Sequence, residues 1–320
     1  MTTELKINDW LYRALINNNS QLSFEVIPSY HVEKPKKLFK LYSPTKYAIE
    51  SLLNNYVYAN HPMQFNDLFD CHKNLIICDD DQNNQLTLAW LKELYGEQTF
   101  ENLSQDQIKE RIIEGRYDLA YITFGISSLT SDPNNVLMWA YYGNNQGFMV
   151  EYDCAMFPAN FYGPFPINYQ EKIIPISHKE NNAQIAVLYQ SNIKSKVWQH
   201  ESEWRYLIRS ADGSVLLPYN VSDDKNKTIH NRKFGYPKDT VLSISLGNRF
   251  FSHSEILEVS DDNILKIRFN NATDDRSKIL LFAIENNLCI NYALQQEDLM
   301  TVKFRKCVVE QKNNQEFWFH

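Results

Sequence analysis

Two glutamates and an arginine stand two residues apart in the stretch 198–208, W-Q-H-E-S-E-W-R-Y-L-I. From Glu201 onward the run alternates as a half-buried strand does. Glu201, Glu203, Arg205 and Leu207 fall on one face, and Ser202, Trp204, Tyr206 and Ile208 on the other. A strand repeats every two residues, so both carboxylates and the guanidinium project from the same side, the carboxylates about 7 Å apart. The aromatic side anchors the strand in a core. A charged row of this kind is costly unless it is exposed, paired or used. Exposed, it is a solvated face with a Glu–Arg ion pair that contributes little. Used, it is a catalytic carboxylate with an auxiliary one beside it.

Three other groups could join it. Residues 65–70 read F-N-D-L-F-D. Two aromatics bury there while Asn66, Asp67 and Asp70 bond nearby backbone as a turn brace, or Asn66 or Asp67 lines a pocket. Residues 137–143 read L-M-W-A-Y-Y-G, followed by Gly147-Phe148. Trp139 and Tyr142 are three apart and share a helix face. They suit either core packing or stacking on a planar ring such as nicotinamide or adenine. Ser127 and Ser128 follow directly on a predicted strand, where hydroxyls can orient a ligand amide or cap a turn. No G-x-G-x-x-G or P-loop pattern occurs, and 9 glycines in 320 residues argue against a Rossmann or P-loop enzyme.

The elements that must position these groups follow from periodicity and punctuation. Helices are expected over 9–17, 45–54 (capped by Thr45), 83–96, 104–115 (a Ser104/Gln107 capping box, closed by Gly115), after Asp132-Pro133, over 180–197, from Ser252, and over 277–287. Strands are expected over 38–42, 56–59, 121–125, 148–152, 167–169, 240–246 and 265–269, with a last pair within 289–309. A polar loop occupies 222–231. No repeat and no clean linker appear. The expectation is one compact α+β domain over 38–310, a mixed central sheet with surrounding helices. A short helix and lead-in over 1–37 precede it, and a tail over 311–320 follows.

Composition bounds the function. With 43% hydrophobic and 22% charged residues the chain is globular. Its 13% aromatics fit an aromatic-lined pocket or an aromatic core equally well. A net charge of −7 argues against a broad footprint on nucleic acid but leaves room for a local basic groove. Five scattered cysteines without C-x-x-C read as reduced thiols of a cytosolic chain, with no disulfide frame and no zinc site. The eight histidines show no H-x-x-x-H spacing, so no metal site is expected. The N-terminus lacks an apolar signal region, and the apolar run 279–284 is too short to span a membrane. A cytoplasmic protein is expected, although leaderless secretion would look the same.

The order F-N-D-x-F-D, L-M-W-x-x-Y, G-F before an acidic strand end, W-x-x-E-x-E-W-R, and a strand ending in Leu246-Gly247 resembles a large bacterial family of uncharacterised domains. Some of its members occur among phage-defence and effector genes. The resemblance runs from about residue 38 to about residue 304. Leu68 stands where that family often has proline, and Tyr42 where it has an arginine after the first strand. More distantly, the order of elements is similar to ADP-ribosyltransferases, whose sheet is split and whose arginine-modifying members carry E-x-E on a late strand.

That resemblance implies NAD as a substrate and a protein acceptor, with arginine favoured. Glu203 would bond the nicotinamide ribose and stabilise an oxocarbenium-like transition state, and Glu201 would orient or deprotonate the acceptor. Lys40, Tyr42, Ser127, Ser128, Trp139, Tyr142 and Arg205 would hold NAD, with Lys40 or Tyr42 in place of the usual first-strand Arg or His. Asn66, Asp67 and Asp70 would support them. Two other functions compete. One is a metal-dependent nuclease or hydrolase holding magnesium on Asp67, Asp70, Glu201 and Glu203. The other is a binding or sensor module without catalysis.

Overall fold

The strand Glu203–Ile208 is buried along its whole length, inside an eight-stranded mixed sheet. The computed structural model describes residues 2–16, 21–28, 30–180, 182–216, 232–259, 265–271, 273–295 and 302–320. In spatial order the sheet's strands are Val302–Cys307, Cys289–Gln295, Val241–Leu246, Phe148–Asp153, Lys37–Tyr42, Gly125–Thr130, Glu203–Ile208 and Phe161–Pro166. Val241–Leu246 runs parallel to Cys289–Gln295, and the other pairings are antiparallel. The chain is an α+β protein.

Two register details place the site. Glu203 lies opposite Thr130 and Arg205 opposite Ser128. Lys37–Tyr42 pairs along its length with Phe148–Asp153. Among the described residues, it meets Gly125–Thr130 at one pair, Phe39 with Thr130. Beyond that pair the two strands part.

The two faces of the sheet feed two apolar cores. Trp204, Tyr206 and Ile208 pack with Leu38, Leu129 and Val150 under the helices Lys46–Leu53 and Asp275–Glu285, which contribute Ile49, Leu52, Ile279 and Leu280. Leu207, from the other face, packs with Ile126, Phe165 and the helix Ala183–Asn192 through Ile185, Leu188 and Tyr189. Each alternation of Glu203–Ile208 thus serves a different core, as the period of two requires.

Several elements differ from expectation. The helix expected over 9–17 does not form over the described residues 9–16: Trp10–Ile16 is the middle strand of a three-stranded antiparallel sheet with Thr2–Ile7 and Leu22–Ile27. Trp10, Tyr12 and Ala14 bury on alternate positions against the helix Ala183–Asn192, and Asn8 takes a left-handed φ of 50° in the hairpin between Ile7 and Trp10. The expected helix 104–115 runs on as Gln105–Thr123, started by the capping box at Ser104 and Gln107. Gly115 does not end it. A Cβ there would meet a Leu91 methyl at 2.8 Å, so this glycine lets the helix Asp81–Tyr95 pack close. The β-prone residues 121–123 are therefore helical, and the strand starts only at Gly125.

The expected helix 180–197 is shorter, Ala183–Asn192, and gives way to a strand Ile193–Ser195 and a 3₁₀ segment Lys196–Glu201. The helix expected from Ser252 is a turn leading to the strand Ile256–Val259. Ser252 N–H does donate to Glu255 at 2.8 Å, but Arg276 holds the other carboxylate oxygen at 2.6 Å and the turn is not continued. The last ten residues are no loose tail. Glu316–Phe319 pairs with Leu265–Arg268 and Val309–Gln311, burying Phe317 and Phe319 completely. The polar loop 222–231 lies outside the described residues. Among the described residues no helix is long and apolar enough to cross a membrane.

Candidate functional site

Glu201 and Glu203 do not share a strand. Ser202 takes a left-handed conformation, φ 47° and ψ 45°, which ends the 3₁₀ segment at Glu201 and starts the strand at Glu203. The kink is tied down by Thr130, whose hydroxyl donates to the Glu201 carbonyl at 2.7 Å, and by Ser131 N–H, which donates to the Ser202 carbonyl at 3.1 Å. The two carboxylates still converge, because a lysine lies between them. Lys194 Nζ donates to Glu203 Oε2 at 2.8 Å and also to Glu201 Oε2. Sequence reasoning missed Lys194. A lone lysine inside an expected helix reads as solvent-exposed, since buried lysines are rare unless paired. The parallel pairing of Ile193–Ser195 with Asn168–Gln170 turns it inward.

Arg205 forms the other half of the network. Its Nε donates to Glu203 Oε1 at 2.7 Å, and Nη2 to Glu203 Oε2 at 3.2 Å. Nη1 donates to Asp70 Oδ1 at 2.7 Å and to the Ser191 carbonyl at 2.9 Å, while Nη2 also reaches Asp70 Oδ2. All five N–H groups of the guanidinium are therefore used. Its plane lies over the Phe65 ring at 5.3 Å. The F-N-D-L-F-D loop thus packs beside the carboxylate strand, and Asp70 is a partner of Arg205 rather than a backbone brace.

These groups are almost wholly out of water: Arg205 is 2% exposed, Glu201 3% and Glu203 4%. The solvated-face reading of the strand is ruled out by that burial. Burial by itself would raise the Glu203 carboxyl, but Arg205 and Lys194 outweigh it and hold the group well below the usual carboxylate range. Burial likewise disfavours a charged Lys194, yet Glu203 and Glu201 hold it protonated.

The network forms the floor of a pocket of about 390 Å³ that opens where the Lys37–Tyr42 and Gly125–Thr130 strands part. The structure brings Lys40, Asn66, Asp70, Ser128, Tyr142, Glu201, Glu203 and Arg205 to it. Tyr142 donates its hydroxyl to Glu201 Oε1 at 2.6 Å. Lys40 donates to the Ser128 carbonyl at 2.8 Å. Burial pushes Lys40 down to about 8, against the opposing pull of Glu203.

Four expected residues lie elsewhere. Tyr42 stacks on Phe148 and bonds Tyr152 through its hydroxyl at 3.1 Å. Ser127 points to the Tyr206 face of the sheet, buried, its hydroxyl without a hydrogen-bond partner among the described residues. Trp139 is 1% exposed, donates to the Pro133 carbonyl at 2.9 Å and packs on Phe304, so it is core and not a stacking platform. Asp67 accepts from Phe69 N–H at 2.9 Å as a turn brace.

Among the described residues no group of three or more His, Cys, Asp or Glu is arranged to hold a metal ion. Asp70, Glu201 and Glu203 instead converge on ammonium and guanidinium groups. A pocket of this size with a few convergent polar groups suits a small polar ligand or one end of a larger one. Compared with models of protein families, with curated proteins and with solved structures, the chain matches none.

Proposed function

We propose that this pocket transfers an ADP-ribosyl group from NAD to a macromolecular acceptor, with a protein arginine preferred. The observation that carries this reading is the convergence of Glu201 and Glu203, from two different elements, on one pocket where the sheet parts. Glu203 stays ionised throughout the physiological range, as a group facing a developing oxocarbenium must. In the reaction the bond from ribose C1′ to nicotinamide breaks, and nicotinamide leaves with the bonding pair. The acceptor nitrogen bonds C1′ and its proton passes to Glu201. Lys40, which lines the pocket and donates to the Ser128 carbonyl, is the cation for an NAD phosphate. The separate resemblance to the bacterial family with members among phage-defence and effector genes suggests a bacterial effector or defence toxin, acting in the cytoplasm.

A second reading, a binding pocket without chemistry, is favoured by one observation: both oxygens of Glu203 are already paired to cations. Incubating labelled NAD with a lysate of the host cell separates the two. Wild type should release nicotinamide and label a macromolecule. Glu203→Gln, compared at matched folded concentration, should lose about 100-fold or more in rate, because Gln keeps the shape without the charge. Glu201→Gln should lose transfer more than nicotinamide release. If wild type neither labels nor releases nicotinamide, the transferase reading falls and the binding pocket stands.

A further inference from the structure

A second cleft, of about 550 Å³, opens between the helices Asp81–Tyr95, Gln105–Thr123 and Ala183–Asn192. It is larger than the pocket at Glu203 and shares no lining residue with it. Its walls are mainly apolar: Leu86 and Trp90 from the first helix, Ala120 from the second, Phe124 just beyond it, and Val187 from the third. Within these walls sits one guanidinium, Arg116.

Arg116 contrasts with Arg205. Its Nη1 donates to the Asn84 side-chain oxygen at 3.0 Å, and its Nη2 lies 2.9 Å from His178 Nε2. Both neighbours are neutral: burial and the guanidinium itself push the His178 imidazole below its usual range. Arg116 forms no ion pair among the described residues, whereas two carboxylates hold Arg205. The nearby acids are committed elsewhere. Asp79 accepts from Ser177 Oγ at 2.6 Å and from Lys179 N–H at 3.0 Å. Asp80 caps the helix Asp81–Tyr95 by accepting from Asn83 N–H at 3.1 Å. A guanidinium keeps its charge in any such setting. A cation half-sunk in an apolar cleft, in no direct ion pair and with the Asp80 carboxylate acting on it only from beyond ion-pair distance, has the complement of an anion carried on an apolar body.

We propose that this cleft binds a small amphipathic carboxylate, its apolar body against Trp90, Ala120, Phe124 and Val187 and its carboxylate on Arg116. The site is independent of the pocket at Glu203 and of what that pocket does.

Titration calorimetry on the full chain with decanoate tests it, with decanol as the probe that lacks the charge. Decanoate should bind wild type more tightly than decanol. Arg116→Gln should weaken decanoate by about tenfold, the value of a charge-assisted hydrogen bond, and leave decanol unchanged. Leu86 is 62% exposed, so Leu86→Glu adds a negative charge at the wall without disturbing the fold, and it too should weaken decanoate. The proposal is overturned if wild type does not bind decanoate, if decanol binds as well as decanoate, or if Arg116→Gln and Leu86→Glu both bind decanoate as wild type does.

Discussion

Arg205 lines the pocket with every N–H already committed to Glu203, Asp70 and Ser191, and that environment makes a stability prediction. Removing one member of a buried, hydrogen-bonded ion network leaves its partners desolvated and uncompensated. Arg205→Met would strand Asp70 and part of Glu203. It should cost roughly 3–5 kcal/mol, read as a fall in the urea midpoint at unchanged slope. An unchanged midpoint would mean that the network is loose. Lys40 makes a prediction with a sign. Its ordinary value is 10.5 and burial lowers it to about 8. Between these two values the unfolded chain holds a proton that the folded chain has released. Its contribution to stability therefore rises with pH across that window. Lys40→Met should remove that rise, measured as the difference in urea midpoint between pH 7.5 and pH 10. By the same titration, any anion that Lys40 binds should bind less well above about pH 8, where the cation is lost. At this scale the residue types were legible and their environments were not. W-x-x-E-x-E-W-R announced two carboxylates and an arginine, but nothing in it shows that Lys194 and Asp70 close the network.

The elements were legible where local signals and tertiary packing agree. Thr45 caps its helix, and Ser104 with Gln107 forms the expected capping box. The strand 38–42 is found as Lys37–Tyr42. The misses are places where packing overrides a local signal. Residues 9–17 have a helical length, but Trp10, Tyr12 and Ala14 bury on every second position. The one that matters for the site is the break at Ser202, which moves Glu201 off the strand. No glycine marks the break, and the alternation of residue types runs straight through it. A left-handed serine is tolerable, whereas a β-branched residue there is not. Ser202→Val should therefore cost about 1–3 kcal/mol and pull Glu201 away from Lys194, while Ser202→Gly should leave stability within a few tenths of a kcal/mol. Thermal melting compares the two, and equal midpoints would show that the kink is not constrained.

Across the whole molecule, the α+β class and the mixed sheet followed from the alternation of short strands and helices, but the sheet order did not. Long-range pairings such as Val241–Leu246 with Cys289–Gln295 leave no mark in either segment alone. The terminal strand shows how far the core extends. Phe317 is completely buried between Phe269 and its neighbours, with the Phe269 ring 5.8 Å away. Phe317→Ala should cost roughly 3–5 kcal/mol despite lying three residues from the last position. A loss below 1 kcal/mol in urea unfolding would detach this strand from the main core. The span of the ion network also has a consequence for synthesis. Asp70 and Arg205 are 135 residues apart, and the strand carrying Arg205 slots between two strands that leave the ribosome before it. Pairing over such a distance is slow and cannot begin until the later partner has been translated. A nascent chain that has not reached Arg205 lacks the guanidinium that pairs with both Asp70 and Glu203, so the pocket cannot be assembled before Arg205 is made.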